Sequence, residues 1–402
     1  MPDIPQMDVN SVTNVSVAAI LANQHASGAF VASPDFSQYD YCWLRDASFV
    51  AAALDRAAEH DASRRYHQWV ARVLGAGGIG PLMETATANQ RAGRETAANE
   101  LPPARFSLDG RRVSDDWPNF QLDGYGTWLW ALDLHLRSAG TGELSGELRG
   151  AVERTARYLS VFALQPCFDV WEENPGEVHT STLASIHAGL RCAASLLDDP
   201  ALTDSAAKVF DAITVSAREP GRFVKSNRQQ TADGSLLWTA PVFNVVNNDD
   251  PCYRATVEEI QSTLIFDGGV RRYASDTYFG GGSWPVLTCS LGLHHAQVGD
   301  LRAAERCLDW SVCRLDEHGR LGEQFGGETR DPEHYREWVA RWGHPARNLV
   351  WSHAMCVLLA IEIEAASHTR GPDSGPHQEK GKERGYEEEK QYESALPAGD
   401  EQ

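Results

Sequence analysis

The sequence predicts an all-α protein whose helices form hairpins arranged in a ring. Apolar residues recur at helical spacing in nearly every long segment, and no run shows the sustained two-residue alternation of a half-buried strand. The links between helices alternate between long, aromatic segments rich in Asp, Glu, Gly and Pro and short polar ones. We predict about twelve helices, which begin near residues 10, 44, 62, 123, 145, 179, 200, 234, 251, 284, 301 and 349.

The positions of the long links predict where a functional site lies. Long links lead into the helices near 44, 123, 179, 284 and 349, whereas short ones follow residues 59, 139, 197 and 299. If the second helix of each pair lines an inner ring, the long links meet at one mouth of that ring. Because loops on a rigid scaffold commonly carry chemistry, we expect the site at this mouth. A repeat solenoid is the alternative, but the sequence shows no self-similarity at a fixed period.

Composition excludes several classes of partner. The 402 residues include 36 Lys and Arg against 56 Asp and Glu, which gives a formal net charge of −20. This charge repels phosphate backbones and anionic lipids, so neither nucleic acid nor a membrane is an expected partner. The start of the chain lacks the basic and apolar regions of a signal peptide, and no later run is expected to span a membrane. We therefore predict a cytoplasmic protein.

The cysteines and the end of the chain complete this outline. The eight cysteines are scattered without a CxxC pair, so we expect reduced structural thiols. The stretch from about residue 367 is polar and charged with almost no aliphatic side chains, and it cannot bury enough apolar area to offset the entropy of ordering. We predict one helical domain over residues 1–366 and a disordered tail over 367–402.

Two aromatic segments near the first long links could bind a sugar. Residues 41–46 read YCWLRD, in which Arg45 and Asp46 could form a fork for adjacent hydroxyls beside the rings of Tyr41 and Trp43. The alternative is an ordinary first helical turn, with the aspartate at the helix dipole and the arginine as its ion pair. Residues 117–126 read WPNFQLDGYG; there Asp123 could simply be an N-cap, whereas Trp117 lies in the loop.

Two glutamate segments could carry acid and base chemistry. In Trp171-Glu172-Glu173, a carboxyl packed against the indole would be desolvated and its pKa would rise, as a general acid requires. A solvated acidic loop that feeds the helix dipole is an equal alternative. Glu323 lies in the loop segment LGEQF and would usually be just solvated. Two carboxyls on separate loops at one mouth are, however, what inverting glycoside hydrolysis requires.

Other motifs do not support rival chemistries. Residues 75–80 match GxGxxG but follow an amphipathic helix rather than a strand, so they indicate a helix stop instead of a dinucleotide site. The sequence has no HExxH, Walker or GxSxG motif, and we predict no metal and no cofactor. A metal-dependent helical barrel such as a terpenoid cyclase would need Asp-rich ligand clusters, but 115–116 and 249–250 are only pairs.

Taken together, these segments resemble glycoside hydrolase family 15, the glucoamylase-like family. Five blocks occur in the family's order over about 310 residues: YCWLRD, WPNFQLDG, WEE followed by HTST, a pocket-lining segment from Arg272 to Pro285, and GEQF followed by VWSHA. The resemblance implies an (α/α)6 barrel with long loops at one mouth. It also implies exo attack at non-reducing glucosyl ends with inversion to β-glucose.

The resemblance also implies roles for individual residues. Glu172 matches the general acid and Glu323 the general base, while Arg45 and Asp46 match the residues that grip the terminal glucose. Glu173 matches a contact to the next sugar. The full set of expected substrate-binding residues is Tyr41, Trp43, Arg45, Asp46, Trp117, Trp171, Glu173, Arg272, Trp284 and Trp351.

The expected substrate is a small α-gluco-oligosaccharide. The chain lacks the β-sandwich and starch-binding domains of many family members and resembles the family's compact bacterial isomaltose glucohydrolases, which favours an α-1,6-linked disaccharide. Glucan 1,4-α-glucosidase or trehalase activity on the same scaffold is the nearest alternative. A non-catalytic carbohydrate-binding barrel is a further one, against which the two glutamates argue. The sequence does not determine the oligomeric state.

Overall fold

The computed structural model of the protein describes residues 9–369, apart from 114, 141–143, 145 and 219–220. The all-α prediction is confirmed, and the predicted tail beyond residue 369 lies outside the described residues. The described α-helices are α1 Val9–Ala22, α2 Leu44–Arg56, α3 His60–Val73, α4 Gly80–Arg91, α5 Asp123–Ser138, α6 Gly146–Phe162, α7 Thr180–Leu197, α8 Pro200–Arg218, α9 Pro251–Thr263, α10 Pro285–Gln297, α11 Leu301–Val312, α12 Gly327–Arg330, α13 Pro332–Trp342 and α14 Val350–Thr369.

The helices form two concentric rings. The inner ring runs through α2, α5, α7, a 3-10 helix at Gly234–Thr239, α10 and α14, and the contact between α14 and α2 closes it. Each inner element contacts its outer partner, respectively α3, α6, α8, α9, α11 and α1. As predicted, the long links lead into the inner elements, so their N-terminal ends gather at one mouth of an (α/α)6 barrel.

Burial distinguishes the inner from the outer helices. Every residue from 44 to 55 of α2 and from 285 to 294 of α10 is buried, whereas α3 and α11 bury one face and expose charged residues on the other. A helix surrounded by protein on all sides cannot keep a solvated face. The inner helices therefore combine apolar side chains with small polar ones, and the outer helices carry the amphipathic pattern.

Two glycines set the spacing between α5 and α7. A β-carbon on Gly126 would lie 2.5 Å from the Ser185 carbonyl oxygen, and one on Gly189 would lie 2.5 Å from the Gly126 carbonyl oxygen. Neither site has room for any side chain. The Gly126 of the predicted loop motif is thus needed for close helix packing in the inner ring.

Helix α14 is more apolar than the sequence analysis expected. Its segment Val350–His368 is long and apolar enough to cross a membrane by length and composition, with a mean hydropathy of 1.3. In the barrel, 61% of that segment is buried, and the helix contacts α1, α2, α10 and α11. Its composition is explained by its place in the inner ring.

Three elements of the structure differ from the prediction. The glycine run at 75–80 ends α3, as predicted, but Gly80 also begins α4, whose buried residues include one large apolar side chain, Met83, and so give a weak periodic signal. The helix predicted near 234 is a six-residue 3-10 helix, because Pro241 prevents its continuation. Helix α13 has no fully buried residue and was missed, although Tyr335, Trp338 and Val339 recur at helical spacing and pack against Phe279.

Small β-structures and thiols complete the fold. Strands β1 Cys42–Trp43 and β2 Arg105–Phe106 pair antiparallel, as do β3 Ile265–Phe266 and β4 Gly269–Val270. The first pair lies directly before α2 and holds the segment that enters the pocket. All eight cysteines fall within the described residues and are free thiols, as expected.

Candidate active site

A pocket lies at the mouth where the inner helices begin. It is lined by residues from the first turn of α2, the loops before α5, α7 and α10, the loop before α14, and α13. The structure brings together these predicted residues in its lining: Trp43, Arg45, Asp46, Trp117, Trp171, Glu172, Glu173, Arg272, Trp284, Glu323 and Trp351.

One predicted binding residue lies outside this lining. Tyr41 packs edge-on against Trp43, with ring centroids 6.3 Å apart. The Arg105 guanidinium lies over the Tyr41 ring at 4.3 Å, and over Trp117 at 3.7 Å. Tyr41 therefore packs against the aromatic wall from outside the pocket lining.

The first carboxyl group, Glu172, is oriented by two donors. Trp43 donates from its indole Nε1 to Oε1 of Glu172 at 2.7 Å, and Gln121 donates from Nε2 to the same oxygen at 3.0 Å. With Oε1 occupied by two N–H groups, a proton on this carboxyl belongs on Oε2. The arrangement leaves one defined oxygen for proton transfer.

The loop before α7 holds Glu172 in an unusual backbone conformation. Glu172 has φ of 67°, in the left-handed region that non-glycine residues rarely adopt. The Asp169 carboxylate stabilises the turn by accepting the backbone N–H groups of Trp171 at 3.0 Å and Glu173 at 2.9 Å through Oδ1. Lys225 lies 3.5 Å from Oδ2 of Asp169 and neutralises its buried charge. Asp169 therefore positions Glu172 without lining the pocket.

Replacing Asp169 tests this positioning. If Glu172 is the general acid that the family resemblance implies, Asp169→Ala is expected to lower kcat at least about tenfold, because small misplacements of a catalytic group are costly. Asp169→Asn, which keeps an acceptor oxygen for the two N–H groups, is the matched control and should lose much less. Initial rates and melting temperatures of both variants check this. If Asp169→Ala and Asp169→Asn lose kcat equally, the loss comes from removing the negative charge beside Lys225 and not from losing the acceptor oxygen.

The predicted indole neighbour of Glu172 is a different tryptophan. The Trp171 indole does not hydrogen-bond to Glu172. It donates from Nε1 to both carboxylate oxygens of Asp233, at 3.1 and 3.0 Å. The indole that hydrogen-bonds to Glu172 belongs to Trp43, 129 positions earlier. The left-handed backbone conformation of Glu172 explains why the expected neighbour is wrong, since it points the side chains of Trp171 and Glu172 in different directions.

The second carboxyl group, Glu323, is buried and only half satisfied. It is 1% exposed, and Tyr39 donates from its hydroxyl to Oε1 at 2.8 Å. The Tyr278 hydroxyl lies 2.9 Å from that of Tyr39. Oε2 has no hydrogen-bond partner among the described residues. Burial raises the pKa of Glu323 to about 8, while the Tyr39 hydrogen bond and the Arg272 charge oppose the rise.

A network of charges connects the predicted sugar-gripping pair to Glu172. Arg45 donates from Nε to Asp46 at 3.0 Å, and from Nη1 to Gln121 and Asp123, both at 3.1 Å. Gln121 thereby joins Arg45 to Glu172. Burial raises the pKa of Asp46 to about 6 against the opposing charge of Arg45. Asp123, considered above as an N-cap, serves instead as a buried partner of this arginine.

The opposite wall is built around Arg272. Its Nε donates to Asp276 at 2.8 Å, and its Nη2 lies 3.3 Å from Oε1 of Glu173. Tyr273 donates from its hydroxyl to the other oxygen of Glu173 at 2.6 Å. The Arg272 guanidinium also lies 5.7 Å from the Trp284 ring centre. Glu173 is therefore fixed as an acceptor beside Glu172.

Sequence reasoning missed several functional candidates. Tyr39 lies just before the YCWLRD motif, and Gln121 lies within WPNFQLDG, so both stood beside a recognised signal. Tyr278 stood within the predicted pocket segment without a role of its own. The rim residues of α13, which are Trp338, Arg341 and Trp342, were missed because this helix was not predicted, although its aromatic residues recur at helical spacing.

Comparison with known proteins identifies the family. The sequence profile described as Glycosyl hydrolases family 15 matches residues 8–316. The chain belongs to glycosyl hydrolase family 15. As a member of this family, it is an inverting, exo-acting α-glucoside hydrolase, and the predicted fold, enzyme class and family are all confirmed.

Relatives of this family 15 enzyme agree in sequence and structure. The isomaltose glucohydrolase of Kribbella flavida is 38% identical over 356 residues, which cover 87% of this chain and 91% of that protein. A wild-type glycosidase structure superimposes with a TM-score of 0.83 at 35% identity and covers 89% of this chain and 97% of its own. The glucoamylase of Saccharomycopsis fibuligera, at 15% identity and TM-score 0.69, covers 89% of this chain and 95% of its own and shares the fold.

Proposed function

We propose that the enzyme hydrolyses small α-gluco-oligosaccharides, with isomaltose as the favoured substrate, and that Glu172 is its general acid and Glu323 its general base. The observation that carries the assignment is the contrast between the two carboxyl groups of one pocket. Glu172 has one oxygen, Oε2, left for a proton, whereas Glu323 is buried and its Oε2 has no hydrogen-bond partner in the part of the chain that the structure describes.

The acid role of Glu172 follows from its hydrogen bonds. In an inverting hydrolase, one carboxylic acid protonates the glycosidic oxygen as the bond to the sugar breaks. The N–H groups of Trp43 and Gln121 can only donate, so they exclude a proton from Oε1 and direct it to Oε2. Oε2 is then the proton donor to the leaving oxygen.

The base role of Glu323 follows from its free oxygen. Inversion needs a carboxylate that accepts a proton from water as the water attacks the anomeric carbon. Tyr39 occupies Oε1, and Oε2 is without a partner among the described residues. Oε2 can thus receive the proton of an attacking water on the face opposite the leaving group. The product is β-glucose.

The pocket walls support a substrate of two or a few sugars. Arg45 and Asp46 offer adjacent charged groups to hydroxyls of a terminal glucose at the base of the pocket. Glu173, fixed by Arg272 and Tyr273 next to Glu172, is placed to accept a hydroxyl of the following sugar. The rim formed by α13 borders the outer part of the pocket. The name of the Kribbella flavida relative supports an α-1,6 linkage.

A disaccharide panel tests the substrate proposal. At equal concentration, initial glucose release from isomaltose is expected to exceed release from maltose, trehalose and soluble starch, in line with the name of the Kribbella flavida relative. Glu173→Gln, which keeps the shape but removes the charge, should reduce this preference more than it reduces activity on an aryl α-glucoside. A clear preference for maltose or trehalose would instead support the 1,4-α-glucosidase or trehalase alternative.

We further propose that the enzyme acts in the cytoplasm on imported oligosaccharides. The support is its set of free cysteines. Among them, Cys289 and Cys356 have sulfur atoms 3.6 Å apart and do not form a disulfide bond. Thiols this close persist where the cell keeps cysteines reduced.

A further inference from the structure

A second group of chemically active side chains lies at the opposite end of the barrel. Asp55 is near the C-terminal end of α2 and His135 near that of α5, whereas Arg45 and Asp123 at the other ends of these helices face the active site. At a rise of about 1.5 Å per residue, the two groups are roughly 15 Å apart along α2 and roughly 18 Å along α5. The mechanism does not use this cluster.

The cluster is tightly packed and buried. Asp55, His67 of α3 and His135 are 3%, 1% and 4% exposed. One potential ligand atom from each of the three residues lies within 4.8 Å of the others. His135 Nδ1 is 2.8 Å from Oδ1 of Asp55, and His60 Nδ1 is 2.9 Å from the same oxygen. Ser63 donates to Oδ2 at 2.6 Å and orients the carboxylate.

His67 is the unexplained member of the cluster. Both of its ring nitrogens are buried and have no hydrogen-bond partner among the described residues. Its ring centre lies only 5.0 Å from that of His135. Buried polar groups are nearly always paired, because leaving them unpaired loses their bonds to water. A histidine held in this way has a nitrogen available for a ligand within the cluster.

We propose that Asp55, His67 and His135 bind a structural zinc ion. Imidazole nitrogen and carboxylate oxygen are the ligands that zinc uses in proteins, at about 2.0–2.1 Å. If all three ligand atoms were 4.8 Å apart, the upper limit of their separations, an ion equidistant from them would lie about 2.8 Å from each. Adjustments of less than about 1 Å per side chain would therefore complete the site.

His60 lies beside the three proposed ligands and marks the access route. Its Nδ1 is 2.9 Å from Oδ1 of Asp55, and its side chain is 36% exposed. The bound ion would connect α2 of the inner ring with α3 and α5. The three residues lie on three helices at positions 55, 67 and 135, without the close spacing of a zinc motif, so local sequence gives no signal for such a site. This site is independent of the proposed function.

Metal binding by the whole protein tests the proposal. After removal of metals with EDTA and dialysis, titration with zinc chloride is expected to show one zinc ion per chain by elemental analysis, together with a rise in melting temperature. Cobalt(II) in place of zinc should show the visible absorption of a tetrahedral nitrogen and oxygen site. A wild-type protein that retains no stoichiometric zinc, and shows no such absorption with cobalt, would overturn the proposal.

Matched variants locate the ion. His67→Gln and His135→Gln are expected to lose the bound zinc and the zinc-dependent rise in melting temperature. His187→Gln is the control, since His187 is an equally buried histidine of α7 whose Nδ1 contacts only the Ala206 carbonyl oxygen among the hydrogen bonds described. It should bind zinc as the wild type does. Unchanged binding by His67→Gln would place the ion elsewhere and overturn the assignment, and if that variant fails to fold, Asp55→Asn gives the same test.

Discussion

The Glu323→Gln variant is expected to lower kcat on isomaltose at least about 100-fold while leaving substrate affinity within a few-fold of the wild type. Glutamine keeps the shape of the side chain and can still accept the Tyr39 hydrogen bond, but it cannot take a proton from water. In the proposed assignment the sugar is held by other residues, such as Arg45 and Asp46, so binding should survive. Initial rates and a direct binding measurement with isomaltose separate the two effects.

The same assignment predicts a pH dependence. Burial raises the pKa of Glu323 from 4.5 to about 8, so below that pH a growing fraction of the free enzyme carries a protonated base that cannot activate water. The value of kcat/KM should therefore rise with pH on its acid side, with a midpoint well above the ordinary range of glutamate. In Glu323→Gln this acid-side dependence should disappear. Near-normal turnover of the variant, or an unchanged profile, would contradict the base assignment.

The Glu172→Gln variant is expected to lose most of its activity on disaccharides and much less on activated aryl glucosides. A sugar leaving group needs a proton as the bond breaks, whereas an acidic phenol departs without one. Glutamine can retain the hydrogen bonds from Trp43 and Gln121 through its carbonyl oxygen, so the pocket should keep its shape. We expect at least about a 100-fold fall in kcat on isomaltose.

The neighbouring carboxylate provides the control for this variant. Glu173→Gln alters a group that contacts Arg272 and Tyr273, and it should change KM for disaccharides without a dependence on the leaving group. Rates on isomaltose and on a series of aryl α-glucosides of graded acidity measure the difference. If Glu172→Gln slows every substrate equally, Glu172 is not the proton donor.

The positions of the helices and of the two glutamates could be predicted from local sequence. Apolar spacing identified most of the helices because the outer helices bury one face, and the short and long links showed where the hairpins turn. The exceptions are α4, whose buried residues include only one large apolar side chain, Met83, and α13, which has no fully buried residue. Glu172 and Glu323 stood out because each lies in a loop motif, and the five blocks in family order connected them.

What the sequence by itself determined is the all-helical architecture, the family and the two carboxyl groups. Only the tertiary structure decided what surrounds them, because the decisive contacts join residues far apart in the chain. The Trp43 indole reaches Glu172 across 129 positions, and Tyr39 reaches Glu323 across 284. The buried group of Asp55, His67 and His135 exists only because three helices converge. Local sequence patterns show which face of a helix is buried. Hydrogen bonds between loops depend instead on how the closed ring brings those loops together.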